Sequence, residues 1–264
     1  MRGIVLKLAS RGARDKSPDG GSDNLMNNTD NKYSARFIVI SGVFIACLIT
    51  ANVIAVKQIS IHGIVLPAAV IIFPVSYIFG DILTEVYGYR TARKVIWLGF
   101  LCNLFAVLAI WLGSLLPSAG FWKGQDAYHT ILGSTPRVLL ASFVGYLAGE
   151  FSNSYVLAKM KVATKGRWLW TRTIGSTILG EGLDSFLFLT IAFLGTPQWG
   201  GYIVIVNHWW VKTGYEIIAT PITYKIVGYL KRKEGIDTYD YKTNFNPLLV
   251  FPFSLLSRRK VSEQ

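Results

Sequence analysis

Five ionisable residues stand where an apolar environment would leave them no water: Glu150, Glu181, Asp184, Lys212 and Glu216, each deep inside a run of apolar residues. A charge at the centre of a bilayer costs roughly 2.5–3.5 kcal/mol on the insertion scale, so the set costs on the order of 12–17 kcal/mol if every member is isolated and ionised. Such groups persist only where they pair, take up protons, or line water or a ligand. Glu181 and Asp184 share one helix face, with Thr177 and Phe188 a turn to either side. Neighbouring carboxylates repel, so at least one is expected to hold a proton, a cation or a cationic ligand. Lys212 and Glu216 share a face below His208 and Trp209, and read equally as a structural ion pair or as ligand contacts. Lys212 suits Glu216, Asp184 or Glu150 as partner. Glu150 lies on a face with Tyr146, Asn153 and Ser154, while Asn52 and Asn103 add polar groups to other apolar runs. Trp209 and Trp210 read as packing residues, either of which could stack on a flat ligand.

A second charged group follows an apolar run, in Asp81-Ile-Leu-Thr-Glu-Val-Tyr-Gly88-Tyr-Arg90. Asp81 and Glu85 are one helical turn apart, Gly88 is a plausible helix stop, and Arg90, Arg93 and Lys94 can neutralise the acids. The stretch reads either as a charged turn fixing two helices together or as a gate whose ion pairs break when a site opens inward.

The elements that must position these residues are membrane helices. The 264-residue chain is 52% hydrophobic and only 16% charged, with a mean hydropathy of +0.39, where a soluble domain carries roughly a quarter of its residues as charges. A bilayer-crossing helix needs about 20 mostly apolar residues. Six segments qualify: Phe37–Val56, Ile64–Gly80, Val95–Leu116, Arg137–Ala158, Trp168–Gly195 and Tyr202–Leu230. Pro74 and Pro221 predict a kink or an early end in the second and sixth spans. The runs are continuous, without the alternation of an outer-membrane barrel. The expected fold is therefore an all-α integral membrane bundle of six transmembrane helices, with a tail over 1–33, a transport-sized membrane domain over 34–232 and a C-terminal tail over 233–264.

Orientation follows from the basic residues. Both tails and the second-to-third and fourth-to-fifth connections carry nearly all the Lys and Arg, leaving Lys57, Lys123 and Arg137 for the opposite side. Both termini are expected in the cytoplasm, and the protein in the bacterial inner membrane. Trp97, Trp168 and Trp170 mark one interface, and Trp111, Trp122 and Trp199 the other. Residues 1–33 are polar and read as disordered, with Met26 as an alternative start. A net charge of +12 does not point to nucleic acid, because the bases alternate with apolar runs. The scattered His62, His129 and His208, with Cys47 and Cys102 inside apolar runs, offer no metal-ligand spacing. No catalytic or nucleotide-binding motif is found, so neither an enzyme nor a cofactor is expected.

The stretch from Ala51-Asn52 to Lys57, Pro74, the Asp81–Gly88 run, Leu169-Trp170-Thr-Arg172 through Gly-Glu181-Gly-Leu-Asp184-Ser185, and Thr220-Pro221 together resemble the vitamin uptake transporter family, also called queuosine precursor transporters. The likeness covers about residues 35–232. Glu181 stands where the family signature often has Gln. The resemblance implies a six-helix carrier similar to the substrate-binding subunits of energy-coupling-factor transporters, importing 7-deazaguanine precursors of the tRNA base queuosine. Its partners are then the bilayer, the deazapurine base and, in a homo-oligomer, further copies of the chain. Such a base presents N1–H and a 2-amino group side by side, which one carboxylate can accept; its bicycle stacks on an aromatic ring. Glu181, Asp184 and Glu150 are the candidate acceptors, Phe188, Tyr146 and Trp209 the stacking faces. The competing expectations are a binding subunit served by a separate ATP-driven module, and a proton- or cation-coupled carrier of another small molecule with Glu181 and Asp184 as its ion site.

Overall fold

Long runs of Ile, Val, Leu and Ala favour helix once burial outweighs β-branched propensity, and Gly and Pro decide where these helices stop. The computed structural model describes residues 34–61, 64–133, 136–196, 199 and 201–250. The tail expected over 1–33, the alternative start at Met26 and the chain beyond 250 lie outside the described residues.

The helices are α1 (Ala35–Ile54), α2 (Phe73–Tyr87), α3 (Tyr89–Leu115), α4 (Gln125–Leu132), α5 (Pro136–Ala163), α6 (Leu169–Phe193) and α7 (Tyr202–Glu234). Among the described residues, four helical stretches are long and apolar enough to cross a bilayer: α1, α3, Gln125–Ala163 and α6. With 15 residues, α2 is about 22 Å long, short of the ~30 Å hydrocarbon core. Its sequence was expected to begin a span at Ile64. Instead, Gln58–Ile61 (β1) and Ile64–Pro67 (β2) form an antiparallel hairpin, with Ile59 opposite Leu66 and Ser60 opposite Val65, followed by a 3₁₀ turn at Ala68–Ile71. The β-branched Ile64-Val65 pair suits a strand. Pro74 falls in the first turn of α2, where its missing N–H needs no partner, so it starts the helix and does not kink it. Pro221 likewise does not end α7, which runs on to Glu234; the hydroxyls of Thr220 and Thr223 donate to the Glu216 and Ala219 carbonyls around it.

A single residue, Gly88, separates α2 from α3. Its φ of +80° is a conformation that side chains disfavour, and a Cβ there would lie 2.6 Å from Thr238. Thr238 lies in the segment expected as the C-terminal tail, 233–264. Its residues 235–250 form a strap across one end of the bundle. The Tyr89 amide donates to Asp240 Oδ2 (3.0 Å), and the Thr238 amide to the Val86 carbonyl (3.2 Å). Arg93 Nη1 donates to the carbonyls of Asn244 (3.0 Å) and Asn246 (2.6 Å). Trp97 Nε1 donates to the Pro247 carbonyl (2.8 Å), so this interface-type tryptophan is anchored by the strap. Lys161 Nζ reaches both Asp237 Oδ1 (2.6 Å) and the Thr238 carbonyl (2.7 Å).

Two outcomes follow for the strap. Arg93→Ala removes two charge-assisted bonds, which costs about 1.5–3 kcal/mol; a lowered melting temperature in detergent and faster proteolysis within 235–250 are expected. The second concerns Asp237. Burial pushes its carboxyl up, but the hydrogen bonds and charges of Lys161 and Lys231 prevail and hold it below the ordinary value of 3.8. A native pKa below the unfolded one stabilises docking in full above the ordinary value, and this is lost as pH falls through the lower one. Pepsin should therefore leave the wild-type strap intact near pH 5 and cut it below roughly pH 4, whereas Asp237→Asn should be cut at both.

Candidate functional site

Polar side chains from four helices meet inside the bundle in three successive layers, marked along α2 by Tyr77, Asp81 and Glu85 at one-turn steps. The first holds the cation. Lys212 Nζ on α7 lies 2.8 Å from Glu181 Oε2 and 2.7 Å from Asp184 Oδ2, both on α6, and 4.1 Å from the centre of the Phe73 ring on α2. Of the three partners the sequence allowed, only Asp184 is taken, and Glu181 joins it. Two acids side by side attract the ammonium more strongly than the single Glu216 on its own helix. Glu150 is 0% exposed, with one oxygen 3.0 Å from where a Cβ on Gly80 would stand. Neither of its carboxylate oxygens has a hydrogen-bond partner among the described residues, nor has the buried Tyr77 hydroxyl.

Glycines bring the acids in. A Cβ on Gly145 would come 2.8 Å from Asp184 Oδ1, and one on Gly149 would come 2.6 Å from the Tyr77 hydroxyl and 3.0 Å from the Gly180 carbonyl. This small-xxx-small face of α5 lets the backbones of α5 and α6 approach closely, as in membrane helix pairs.

In the second layer, Asn153 Nδ2 on α5 donates to Asp81 Oδ1 on α2 (2.7 Å), and Thr84 donates to Ser154 (3.0 Å). Asp81 Oδ2 and both oxygens of Glu216 are buried without a partner among the described residues. The third layer centres on Glu85. Its Oε1 lies 2.8 Å from Arg172 Nη2, 2.6 Å from Lys231 Nζ and 3.6 Å from Lys161 Nζ, and Lys161 and Lys231 continue to Asp237 of the strap.

The expected gate trio of Asp81, Glu85 and Arg90 is thus divided. Asp81 and Glu85 are fully buried in different layers, while Arg90 is exposed. The cations on Glu85 come from α5, α6 and α7 because a helix face turned into the bundle cannot be reached from the first turn of α3.

Other candidates take different places. Asn52 accepts a hydrogen bond from Ser142 (3.1 Å), two turns of α5 and about 12 Å from Glu150. Asn103 is buried on α3, and none of the cluster's hydrogen bonds reaches it. Phe188 lies a turn beyond Asp184 and meets Phe193 edge-on. Trp209 does not face the acids: its indole N–H donates to the Ile178 carbonyl (2.9 Å), and its ring packs on Gly182 and lines an apolar groove of about 820 Å³ with Leu179, Leu183 and Phe186. That groove uses the opposite face of α6 from Glu181 and Asp184. Sequence reading missed Phe73, Tyr77 and Arg172 as members of the layers. The i, i+4 spacing of Phe73, Tyr77, Asp81 and Glu85 carries that signal.

A family model described as "Putative vitamin uptake transporter" matches residues 67–226, and the chain belongs to that family. It is similar to the "Probable queuosine precursor transporter" of Bacillus subtilis (strain 168), with 29% identity over 179 residues, covering 67% of this chain and 78% of the relative. It is also similar to the "Queuosine precursor transporter" of Escherichia coli (strain K12), with 25% identity over 204 residues, covering 77% and 85%. No solved structure is a significant match. Family membership and the apolar helices together make this a multi-pass membrane protein.

Removing the central cation tests the first layer. Lys212→Met leaves Glu181 and Asp184 facing each other without a counter-charge and should destabilise the protein by about 3–5 kcal/mol, read as a fall in melting temperature in detergent. Adding Glu181→Gln and Asp184→Asn to Lys212→Met should restore most of it.

Proposed function

We propose that this protein imports queuosine precursors, 7-deazaguanine bases, across the bacterial inner membrane by alternating access, with α1, α2, α3, α5, α6 and α7 as its six spans and both termini in the cytoplasm. The names of the relatives support the substrate class, and the distribution of basic residues supports the orientation. The observation that carries the reading is Glu150: a wholly buried carboxylate with two uncommitted oxygens, beside a lysine anchored on two acids.

A deazaguanine fits that arrangement edge by edge. Its N1–H and 2-amino group form a donor pair that one carboxylate accepts with both oxygens, and Glu150 has both to offer. An ammonium has three donors; Lys212 donates one to Asp184 and pairs with Glu181 by charge, and a remaining donor serves the base's carbonyl oxygen. The rings of Phe73 and Tyr77 offer flat faces for the bicycle, in the role that sequence reading gave to Phe188 and Trp209. Where the base bears an aminomethyl group, Asp184 supplies its counter-charge. Uncommitted buried acceptors discriminate strongly, because a base lacking the matching donors leaves them unpaired.

The test uses a bacterial host unable to make or import queuosine precursors, fed one 7-deazaguanine, with queuosine scored in its tRNA. Expression of this protein should restore the modification. Each charge-assisted bond is worth about 1.5–3 kcal/mol, so Glu150→Gln, which sets an amide N–H₂ against the base's donors, should raise the required concentration about 10- to 100-fold; Asp184→Asn should do the same for the aminomethyl base. Restoration that survives Glu150→Gln unchanged would remove Glu150 from the site. No restoration with any precursor, despite confirmed membrane expression, would overturn the function.

A further inference from the structure

The second layer has a job that base binding does not use. We propose that Asp81 and Glu216 form a proton site, one helical turn from the base chamber, and that a proton bound there travels with the base. The coupling rests on the base-binding reading above; the existence of the proton site does not.

The cations of the interior are already committed. Lys212 lies on Glu181 and Asp184, and Lys161, Arg172 and Lys231 lie on Glu85 and Asp237. Asp81 Oδ1 takes one N–H from Asn153, while its Oδ2 and both Glu216 oxygens take none. Asp81 and Glu216 are 0% and 1% exposed, no ion pair among the described residues reaches either, and the helices that carry them, α2 and α7, pack against each other. Around this layer α5 contributes Glu150 and Asn153, α6 contributes Glu181 and Thr177, and α7 contributes Lys212 and Thr213 beside Glu216. Of further ionisable groups, α1 brings Cys47 and Arg36, the latter paired with Glu234; α3 brings Tyr89 and Arg93, tied to the strap, and the exposed Arg90 and Lys94. A buried carboxyl without a counter-charge binds a proton in preference to carrying a charge, so Asp81 and Glu216 hold at least one proton between them. A metal ion fits poorly: no group of three His, Cys, Asp or Glu able to hold one occurs among the described residues, whereas hard cations require about six oxygens.

Lys212 links this site to the base. It is four residues from Glu216 on α7, the spacing at which helix side chains can meet. While Glu216 is protonated, Lys212 stays on Glu181 and Asp184, with its third donor free for the base. When the Glu216 proton passes to water on the inner side, the new carboxylate draws Lys212 toward itself, and the chamber loses the donor for the base carbonyl. Proton and base therefore bind together and leave together, which makes an inward proton gradient drive inward accumulation.

The experiment uses purified full-length protein in liposomes, with 7-cyano-7-deazaguanine as the probe. A gradient of one pH unit, alkaline inside, should drive about tenfold accumulation at one proton per base, and a sodium gradient should drive none. Asp81→Asn should keep base exchange at zero gradient and lose the accumulation. Independently of any substrate, the infrared band of a protonated buried carboxyl should be present at neutral pH and diminished in both Asp81→Asn and Glu216→Gln. Accumulation driven by sodium, accumulation retained in Asp81→Asn, or a carboxyl band unchanged in both variants would overturn the proposal. Wild-type protein that exchanges no base, but shows the band and its loss in the variants, would instead overturn the base-binding reading and leave the proton site standing.

Discussion

The ammonium of Lys212 held between two carboxylates is the interaction on which the interior depends. In a medium without water, a lysine and two acids are tolerable only in contact, and that contact fixes the rotation of α6 and α7 about their own axes. Once Glu181 and Asp184 face inward, the opposite face of α6 is left for Leu179, Leu183 and Phe186, which are apolar as their surroundings require. The Phe73 ring beneath the ammonium brings in α2, whose other inward residues follow at four-residue steps.

From this contact the bundle can be followed as a ladder of charge. Compensation is complete at the strap end, where three cations surround Glu85 and Asp237 shares two of them. It is partial at Lys212, which pairs with Glu181 and Asp184 but leaves Glu150 without a partner among the described residues, and lacking in between, at Asp81 and Glu216. A protein selected for stability alone would have little reason to keep Glu150, Asp81 and Glu216 uncompensated, because apolar residues of similar size are usually as stable or more so. Charge compensation therefore rises toward the strap end and falls toward the middle of the bundle.

Much of this was legible in the sequence, and the rest failed for identifiable reasons. Apolar run length gave α1, α3, α5, α6 and α7 to within several residues, and charges inside those runs gave Glu150, Glu181, Asp184, Lys212 and Glu216 as residues needing an explanation. The segment Ile64–Ile72 misled because hydropathy does not distinguish a strand and a 3₁₀ turn from a helix when the run is short and β-branched. Asp81 and Glu85 read from the sequence as a charged turn fixing two helices or as a gate, with the bases that follow directly in the chain as their counter-charges. Their true partners are 72 to 146 residues away, a separation that spacing rules cannot cross. The strap was read as a tail because its anchors, Asp240, Asn244 and Asn246, are ordinary loop residues whose meaning comes from Tyr89 and Arg93. Trp209 has the composition of a ligand-stacking residue, but its indole N–H is engaged by a backbone carbonyl on the outer face of α6.

The glycine seam between α5 and α6 has a mechanical meaning. Where main chain meets main chain at Gly145, Gly149 and Gly180, there is no side-chain cushion to repack, so the two helices resist sliding and rotating against each other. Glu150, Glu181 and Asp184 therefore ride on a single stiff plank whose internal spacing is fixed. Phe73 and Tyr77 on α2 and Lys212 on α7 belong to other helices. The three acids are thus held in register by the backbone itself, while their counter-charge reaches them from a different helix along a flexible side chain.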